Sequence, residues 1–323
     1  ALPISPRRWQ RARGALLPGQ RETPVIDWIA EPLTYGFMQR GLATALIVGV
    51  VCSVLGCYIV LRSMAFLGDA LAHAILPGVA IAYLLRGNLL WGALIAAVIV
   101  ALGIGAVSRR AAVKEDTAIG ILFSAALALG VALISSIQTY AVDLTHILFG
   151  NLLGVSNQDL VIQAALAAAV LLAIGLLYKE LLLVSFDPIL AHTLRLPVQA
   201  LQNLLLVLLA LTIVVSLQAV GVGLVAAMLV TPAATAYLLT KRLPTMMLLA
   251  AAIGASSSFL GLFLSYYVNI VSGAAIVLIA TAIFFVAFLI APRRGLLSTR
   301  LWHRPVTAAD KPAPASAGDH EQG

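Results

Sequence analysis

Residues 62–78 read RSMAFLGDALAHAILPG, an apolar run in which Asp69 and His73 are the only ionisable side chains after Arg62. The two lie four residues apart, and on a helix this spacing places both side chains on one face. A carboxylate and an imidazole side by side can bind a divalent cation. They can also relay a proton. The structural alternative is a hydrogen bond from the His73 N–H to the Asp69 carboxylate.

Two prolines interrupt apolar runs. Pro77 follows His73 by four residues and removes the N–H that would pair with the His73 carbonyl in a helix. Pro232 follows Thr231 in the middle of a later apolar run. We expect each proline to break or kink its helix. Because unsatisfied backbone in a membrane is tolerated only against protein or water, Pro77 and Pro232 are candidate gating positions along a pathway.

The composition is that of a polytopic membrane protein. The 323 residues are 62% hydrophobic and 10% charged, whereas a soluble domain carries about 25% charged residues. Mean hydropathy is +1.04, and apolar runs of about 20 residues recur, the length that spans a bilayer as a helix. The runs lack the alternating pattern of a barrel. We predict an all-α fold with eight to nine transmembrane helices, from nine apolar segments at about 41–61, 64–85, 89–108, 117–138, 158–178, 199–219, 221–240, 245–267 and 272–292.

Ionisable groups are scarce within these segments. Between residues 25 and 292, Asp69 is the one carboxylate that lies inside a segment rather than at an end or in a loop, and His73 is the one such histidine. An ionised group inside a bilayer costs at least about 2.5 kcal/mol. The pattern therefore favours a cation or proton site over a structural hydrogen-bonded pair.

Basic residues in the connections predict the orientation of the chain. The connections after even-numbered segments hold only Arg86. Those after odd-numbered segments hold Arg62; Arg109, Arg110 and Lys114; Lys179 and Arg195; Lys241 and Arg242; and Arg293 and Arg294. By the positive-inside rule, the odd-numbered segments end in the cytoplasm. The Arg-rich residues 1–24 do not fit this orientation.

Four regions follow from this pattern. Residues 1–24 are predicted to be a disordered basic tail, and residues 25–40 an interfacial segment. Residues 41–292 form the transmembrane domain, and residues 293–323 a disordered cytoplasmic tail. The net charge of +7 suits contact with lipid headgroups, so we expect a membrane partner and no nucleic acid.

Two connections are more than turns. The inner loop contains Phe186-Asp187-Pro188, in which Asp187 or Ser185 could cap a short helix that begins with Pro188. A short amphipathic helix in a cytoplasmic loop indicates contact with a partner. The outer loop, residues 139–157, contains His146, a candidate outer metal contact.

Missing motifs exclude some activities. The chain has no G-x-x-x-x-G-K-[ST] phosphate loop, so we do not expect it to hydrolyse ATP. It also has no H-E-x-x-H, which disfavours a zinc protease built on that motif. We predict that the chain is not an enzyme.

The stretch GDALAHAILPG at residues 68–78 resembles the signature of the manganese, zinc and iron permeases of ABC importers. VTPAATA at residues 230–236 is similarly specific. Supporting stretches occur in the same order: EDTAIGI (115–121), LFGN (148–151), FDP (186–188) and SG (272–273). Together the matches cover residues 31–292.

The resemblance implies a type II-like importer permease in a bacterial plasma membrane. It implies a homodimer with two cytoplasmic ATPase subunits and a metal-binding solute-binding protein. Asp69 and His73 match the residues that bind the transported ion, which is Mn²⁺, Zn²⁺ or Fe²⁺, with Mn²⁺ favoured, and no cofactor is permanently bound. Residues 186–197 match the coupling helix, in which the partner-facing candidates are Phe186, Asp187, Pro188, Ala191 and Leu194. At position 195 the family has glycine, where this chain has Arg195.

Two other functions remain open. A permease for cobalamin or siderophores would have a wide pathway and no need for Asp69 and His73. A proton-coupled secondary metal transporter would use the same two residues as a proton relay and would need no partner subunit.

Overall fold

The structure, a computed structural model, describes residues 30–111, 113–136 and 152–291. The predicted tails, residues 1–24 and 293–323, lie outside these ranges. Within them no strand occurs, so the all-α prediction is confirmed. The α-helices of six or more residues are α1 (Gly36–Leu61), α2 (Leu67–Ala74), α3 (Leu76–Leu84), α4 (Leu89–Arg110), α5 (Glu115–Ser135), α6 (Asn157–Leu176), α7 (Tyr178–Phe186), α8 (Pro188–Thr193), α9 (Val198–Val220), α10 (Val222–Leu239), α11 (Leu243–Val268) and α12 (Ser272–Ile290).

The helices account for the predicted membrane spans. Within the described ranges, eight helical stretches are long and apolar enough to cross a membrane, and Gly223–Leu239 is a shorter apolar helix. The pair α2 and α3 forms one of these stretches, Leu67–Leu84. Helix α1 begins at Gly36, so residues 36–40 of the predicted interfacial segment continue directly into the first span. The prediction of eight to nine spans is confirmed.

Helix α1 occupies the centre of the bundle. It packs against α10 and α11, and also against α6 and α9. Lipid tails are as apolar as the side chains, so the hydrophobic effect does not drive helices together in a membrane. Membrane helices instead associate where small residues let the backbones approach closely. Gly56 of α1 lies directly against the carbonyl oxygen of Leu229 in α10, where an added Cβ would overlap that oxygen. This contact places α10 close beside α1.

The two prolines behave differently. Near Pro77 the helix is interrupted at Ile75, which separates α2 from α3. The His73 carbonyl then receives the N–H of Ile75 rather than an N–H four residues further along. At Pro232 the helix is not broken, because α10 runs through the proline without interruption, and a kink there stays a prediction. Burial does not explain the difference, since Ala74 and Ile75 near Pro77 are as buried as Ala233 beside Pro232.

Candidate functional site

Helix α2 carries both residues of the predicted ion site. It begins at Leu67, so Asp69 lies in its first turn and His73 in its last. A carboxylate in the first turn is stabilised by the helix dipole. The Nε2 atom of His73 lies 3.7 Å from Oδ1 of Asp69, which is beyond hydrogen-bonding distance. The two side chains therefore share a face without forming the structural pair that was the alternative.

This face of α2 points away from the core of its own chain. The Asp69 side chain is 54% exposed and the His73 side chain is 28% exposed. Between them, Ala70, Leu71 and Ala72 are buried. An ionisable group in a membrane helix faces a water-filled cavity or a protein neighbour, because contact with lipid is costly. The exposed face thus requires a polar pathway or a second protein against it.

A cleft of about 220 Å³ opens beside Asp69 on this side of α2. One wall comes from α2 and the residue before it, and the other from α5. The lining residues are Phe66, Asp69, Ala70, Asp116, Ile119, Gly120 and Phe123. The cleft thus brings a second carboxylate, Asp116, and an aromatic ring to the predicted site.

Phe123 is the contact that sequence reasoning missed. Its ring centroid lies 5.9 Å from that of the His73 imidazole, with the planes inclined by 56°. Phe123 also lines the cleft with Asp69. The two rings are fifty positions apart in the sequence, and no local spacing signals their contact. Asp116 stands in the quoted stretch 115–121, but nothing in that stretch indicated that it shares a cleft with Asp69.

A single chain supplies few ligands for an ion. Among the residues that the structure describes, no three His, Cys, Asp or Glu side chains come together as a metal site would require. If Asp69 and His73 bind an ion as predicted, they supply two ligands, and water or another protein would complete the shell. An ion that must be released needs such a modest shell. His146 lies outside the described residues, so its role as an outer metal contact stays a prediction.

The inner end of the cleft is joined to the central helix by an ion pair. Arg62, directly after α1, donates to a carboxylate oxygen of Glu115 at the first position of α5. The Arg62 side chain is nearly buried and that of Glu115 is about one-third exposed. The pair therefore attaches α5, one wall of the cleft, to α1.

The predicted short helix of the inner loop is present as α8. The Oδ1 atom of Asp187 accepts hydrogen bonds from the N–H groups of Ile189 and Leu190, at 3.0 and 2.9 Å. Pro188 occupies the first helical position. Asp187 rather than Ser185 is thus the N-cap, as its side chain satisfies two otherwise unpaired donors.

Helix α8 presents apolar side chains outward. Ile189 is 79% exposed, and Phe186 and Leu194 are each 59% exposed. Ala191 is fully buried, so it faces its own chain and is not available to a partner. A surface of this kind is typical of a binding site for another protein. Ile189, which was not among the predicted partner-facing residues, is the most exposed of these.

Arg195 ends α8 in a left-handed conformation. Its φ is 59°, and the N–H of Leu196 bonds back to the Ala191 carbonyl at 3.1 Å. This is the geometry in which helices usually place glycine. The backbone therefore explains in physical terms why the resemblance implies glycine at this position.

The bundle of apolar helices, with Asp69 and His73 exposed beside a cleft, defines a multi-pass membrane protein of the transporter class. A family model described as the ABC 3 transport family matches residues 34–291, and the chain belongs to this family. The resemblance drawn from the sequence is confirmed. The chain is a bacterial membrane transport subunit and not an enzyme, because ATP hydrolysis in ABC importers belongs to a separate subunit.

Similar proteins cover nearly the whole membrane domain. The manganese transport system membrane protein MntC of Halalkalibacterium halodurans is 51% identical over 270 residues, which are 84% of this chain and 92% of that protein. A probable iron transport system membrane protein of Haemophilus influenzae is 44% identical over 263 residues, covering 81% of this chain and 97% of that protein. The solved structure of PsaBC from Streptococcus pneumoniae in complex with Fab matches with a TM-score of 0.75 and 42% identity, covering 85% of this chain and 99% of the other.

Proposed function

We propose that this chain is the permease subunit of an ATP-driven importer of divalent transition metal ions, with Mn²⁺ as its main cargo. The observation that carries the proposal is the pair Asp69 and His73, exposed together on one face of a membrane helix and beside a cleft. A carboxylate with an imidazole suits Mn²⁺, Fe²⁺ or Zn²⁺ better than Mg²⁺ or Ca²⁺. The 51% identity to a manganese transport protein supports Mn²⁺ among these.

Three partners follow from the proposal. A second copy of the chain would cover the exposed face of α2 and contribute its own Asp69 and His73 to the ion. A cytoplasmic ATPase dimer would bind the exposed side chains of Ile189 in α8 and of Phe186 and Leu194 on either side of it. A metal-binding protein would deliver the ion from the outer side.

The transport step uses the chain's own groups in sequence. The delivered ion reaches the Asp69 carboxylate and the His73 imidazole, which replace part of its hydration shell. ATP binding to the partner subunits moves α8, and this movement reopens the pathway towards the cytoplasm. Two ligands from each chain hold the ion loosely enough for release.

The experiment that tests the proposal is uptake into liposomes. The chain is reconstituted with its ATPase and its metal-binding protein, and uptake of Mn²⁺, Zn²⁺ and Fe²⁺ is measured with and without ATP. Asp69→Asn should abolish uptake without loss of assembly. Asp159→Asn is the matched control, because it makes the same change in the first turn of α6, away from the cleft, where Asp159 accepts the N–H of the N-cap Ser156 and an amide oxygen can also accept.

The outcomes separate the alternatives. Uptake of Mn²⁺ that needs both ATP and Asp69 supports the proposal, while preference for Fe²⁺ or Zn²⁺ would change the cargo and keep the mechanism. Uptake that ignores ATP and follows a proton gradient would instead make the chain a secondary transporter with Asp69 and His73 as a relay. Transport of a metal chelate that survives Asp69→Asn would favour the cobalamin or siderophore class.

A further inference from the structure

We propose that Phe123 is a positioning residue for the ion site, holding the His73 imidazole in the orientation that faces Asp69. The inference rests on the proposed function, because it assigns a role around the same two ligands. It also assigns a role to α5, which carries Phe123 and forms the second wall of the cleft.

Helix α5 meets the ligand-bearing segment at three levels. At its inner end, Glu115 pairs with Arg62. At the middle, the ring of Phe123 packs against that of His73. Further along, Gly130 lies so close to Leu76 and Pro77 that an added Cβ would crowd them. These contacts hold α5 against the segment that carries the ligands at three points: before α2, at His73, and at the break near Pro77.

The middle contact acts directly on a ligand. An imidazole attached to a helix can rotate about its side-chain bonds, and a terminal aromatic torsion has a broad range of angles. The Phe123 ring lies 5.9 Å from the imidazole centroid at an inclined angle of 56°, a range in which aromatic rings attract each other. With one side of the imidazole covered by Phe123, the Nε2 atom stays on the Asp69 side, 3.7 Å from Oδ1.

The Arg62–Glu115 pair keeps Phe123 in place. Helix α5 is largely exposed on the outside of the bundle, since only 17% of its most apolar stretch is buried within the protein. Its main helix neighbours are α2, α3 and α4, and the ion pair adds an attachment at Arg62, directly after the central helix α1. Because the Arg62 side chain is nearly buried, loss of one partner leaves a poorly solvated charge and releases the end of α5.

The test compares substitutions of Phe123 in the full transporter. Phe123→Leu and Phe123→Met remove the flat ring, and methionine nearly conserves volume, so folding is retained. We expect the Kd for Mn²⁺ and the KM for Mn²⁺ uptake to rise about two- to tenfold, with the maximal rate and thermal midpoint nearly unchanged. Phe123→Tyr, which keeps the ring, should restore the KM. Phe285→Leu makes the same change on the exposed face of α12 and should leave the KM unchanged.

Charge reversal tests the anchor independently of the ring. Arg62→Glu and Glu115→Arg should each raise the KM for Mn²⁺, and the double variant should recover most of the loss because the pair is remade with opposite polarity. An unchanged Kd for Mn²⁺ in both Phe123→Leu and Phe123→Met would overturn the proposal. So would a rise of equal size in Phe285→Leu.

Asp69→Asn separates failure of this inference from failure of the proposed function. If Asp69→Asn leaves Mn²⁺ uptake intact, the ion site is wrong and Phe123 has no ligand to position. If Asp69→Asn abolishes uptake while both Phe123 variants bind Mn²⁺ normally, the ion site stands and only the role of Phe123 is refuted.

Discussion

The Nε2 atom of His73 and the Oδ1 atom of Asp69 face each other at 3.7 Å without a hydrogen bond. Two ligands that each lie about 2.1 Å from one ion are separated by about 3.0 to 4.2 Å, depending on the angle at the ion. The observed separation falls in that range. In the proposed function, this spacing would let the pair share an ion with little movement of either side chain.

The first prediction concerns how the two ligands act together. Asp69→Asn and His73→Ala should each weaken Mn²⁺ binding by about tenfold or more, since loss of even an outer-shell partner has effects of that order. If both side chains hold one ion, the double variant should lose little more than the worse single variant. Equilibrium Mn²⁺ binding to the purified complex measures this. Losses that multiply in the double variant would mean that the two residues act independently.

A second prediction concerns the cap of α8. Asp187→Ala removes the acceptor for the N–H groups of Ile189 and Leu190, which corresponds to about 1 kcal/mol of helix stability. Hydrogen exchange at those two amides should accelerate about fivefold, and ATP-driven uptake should fall. Asp187→Asn, which can still cap, is the control. Equal protection in Asp187→Ala and in the unchanged protein would show that the cap does not stabilise this helix.

Local patterns predicted the features that depend on neighbouring residues. The spacing of Asp69 and His73 placed them on one face, and the order of Asp187 and Pro188 predicted the start of α8. These features follow from helix geometry and capping within one or two turns. The same local reasoning found the span lengths, because bilayer thickness fixes them.

Features that depend on packing between helices could not be predicted in this way. The contact of Phe123 with His73 and the pairing of Arg62 with Glu115 join distant parts of the chain. Pro232 carries the same local signal as Pro77, yet its helix continues, and the signal does not distinguish the two sites. Ala191 of α8 was predicted to face a partner, but the bundle buries it.

A third prediction concerns the contact between α1 and α10. In Gly56→Ala the new methyl group would overlap the Leu229 carbonyl oxygen, and the backbone there cannot yield as a side chain would. We expect a loss of about 1 to 3 kcal/mol, measured as a lower thermal midpoint in detergent. Gly175→Ala is the matched control, because nothing lies within 4 Å of a Cβ added there. A similar midpoint for both variants would contradict close backbone packing at Gly56.

The last prediction concerns Arg195, whose φ of 59° is unfavourable for any residue with a Cβ. Arg195→Gly should stabilise the end of α8 by about 0.5 to 1 kcal/mol, because glycine adopts this conformation without the steric cost. Arg195→Val should have the opposite effect, since a β-branched side chain is worse at positive φ. Arg242→Gly is the control, because Arg242 has a φ of −102° and therefore no left-handed backbone strain for glycine to relieve. Thermal midpoints and hydrogen exchange over residues 188–196 measure the effect. A midpoint that falls in Arg195→Gly would mean that the arginine side chain itself stabilises the loop by more than the backbone strain costs.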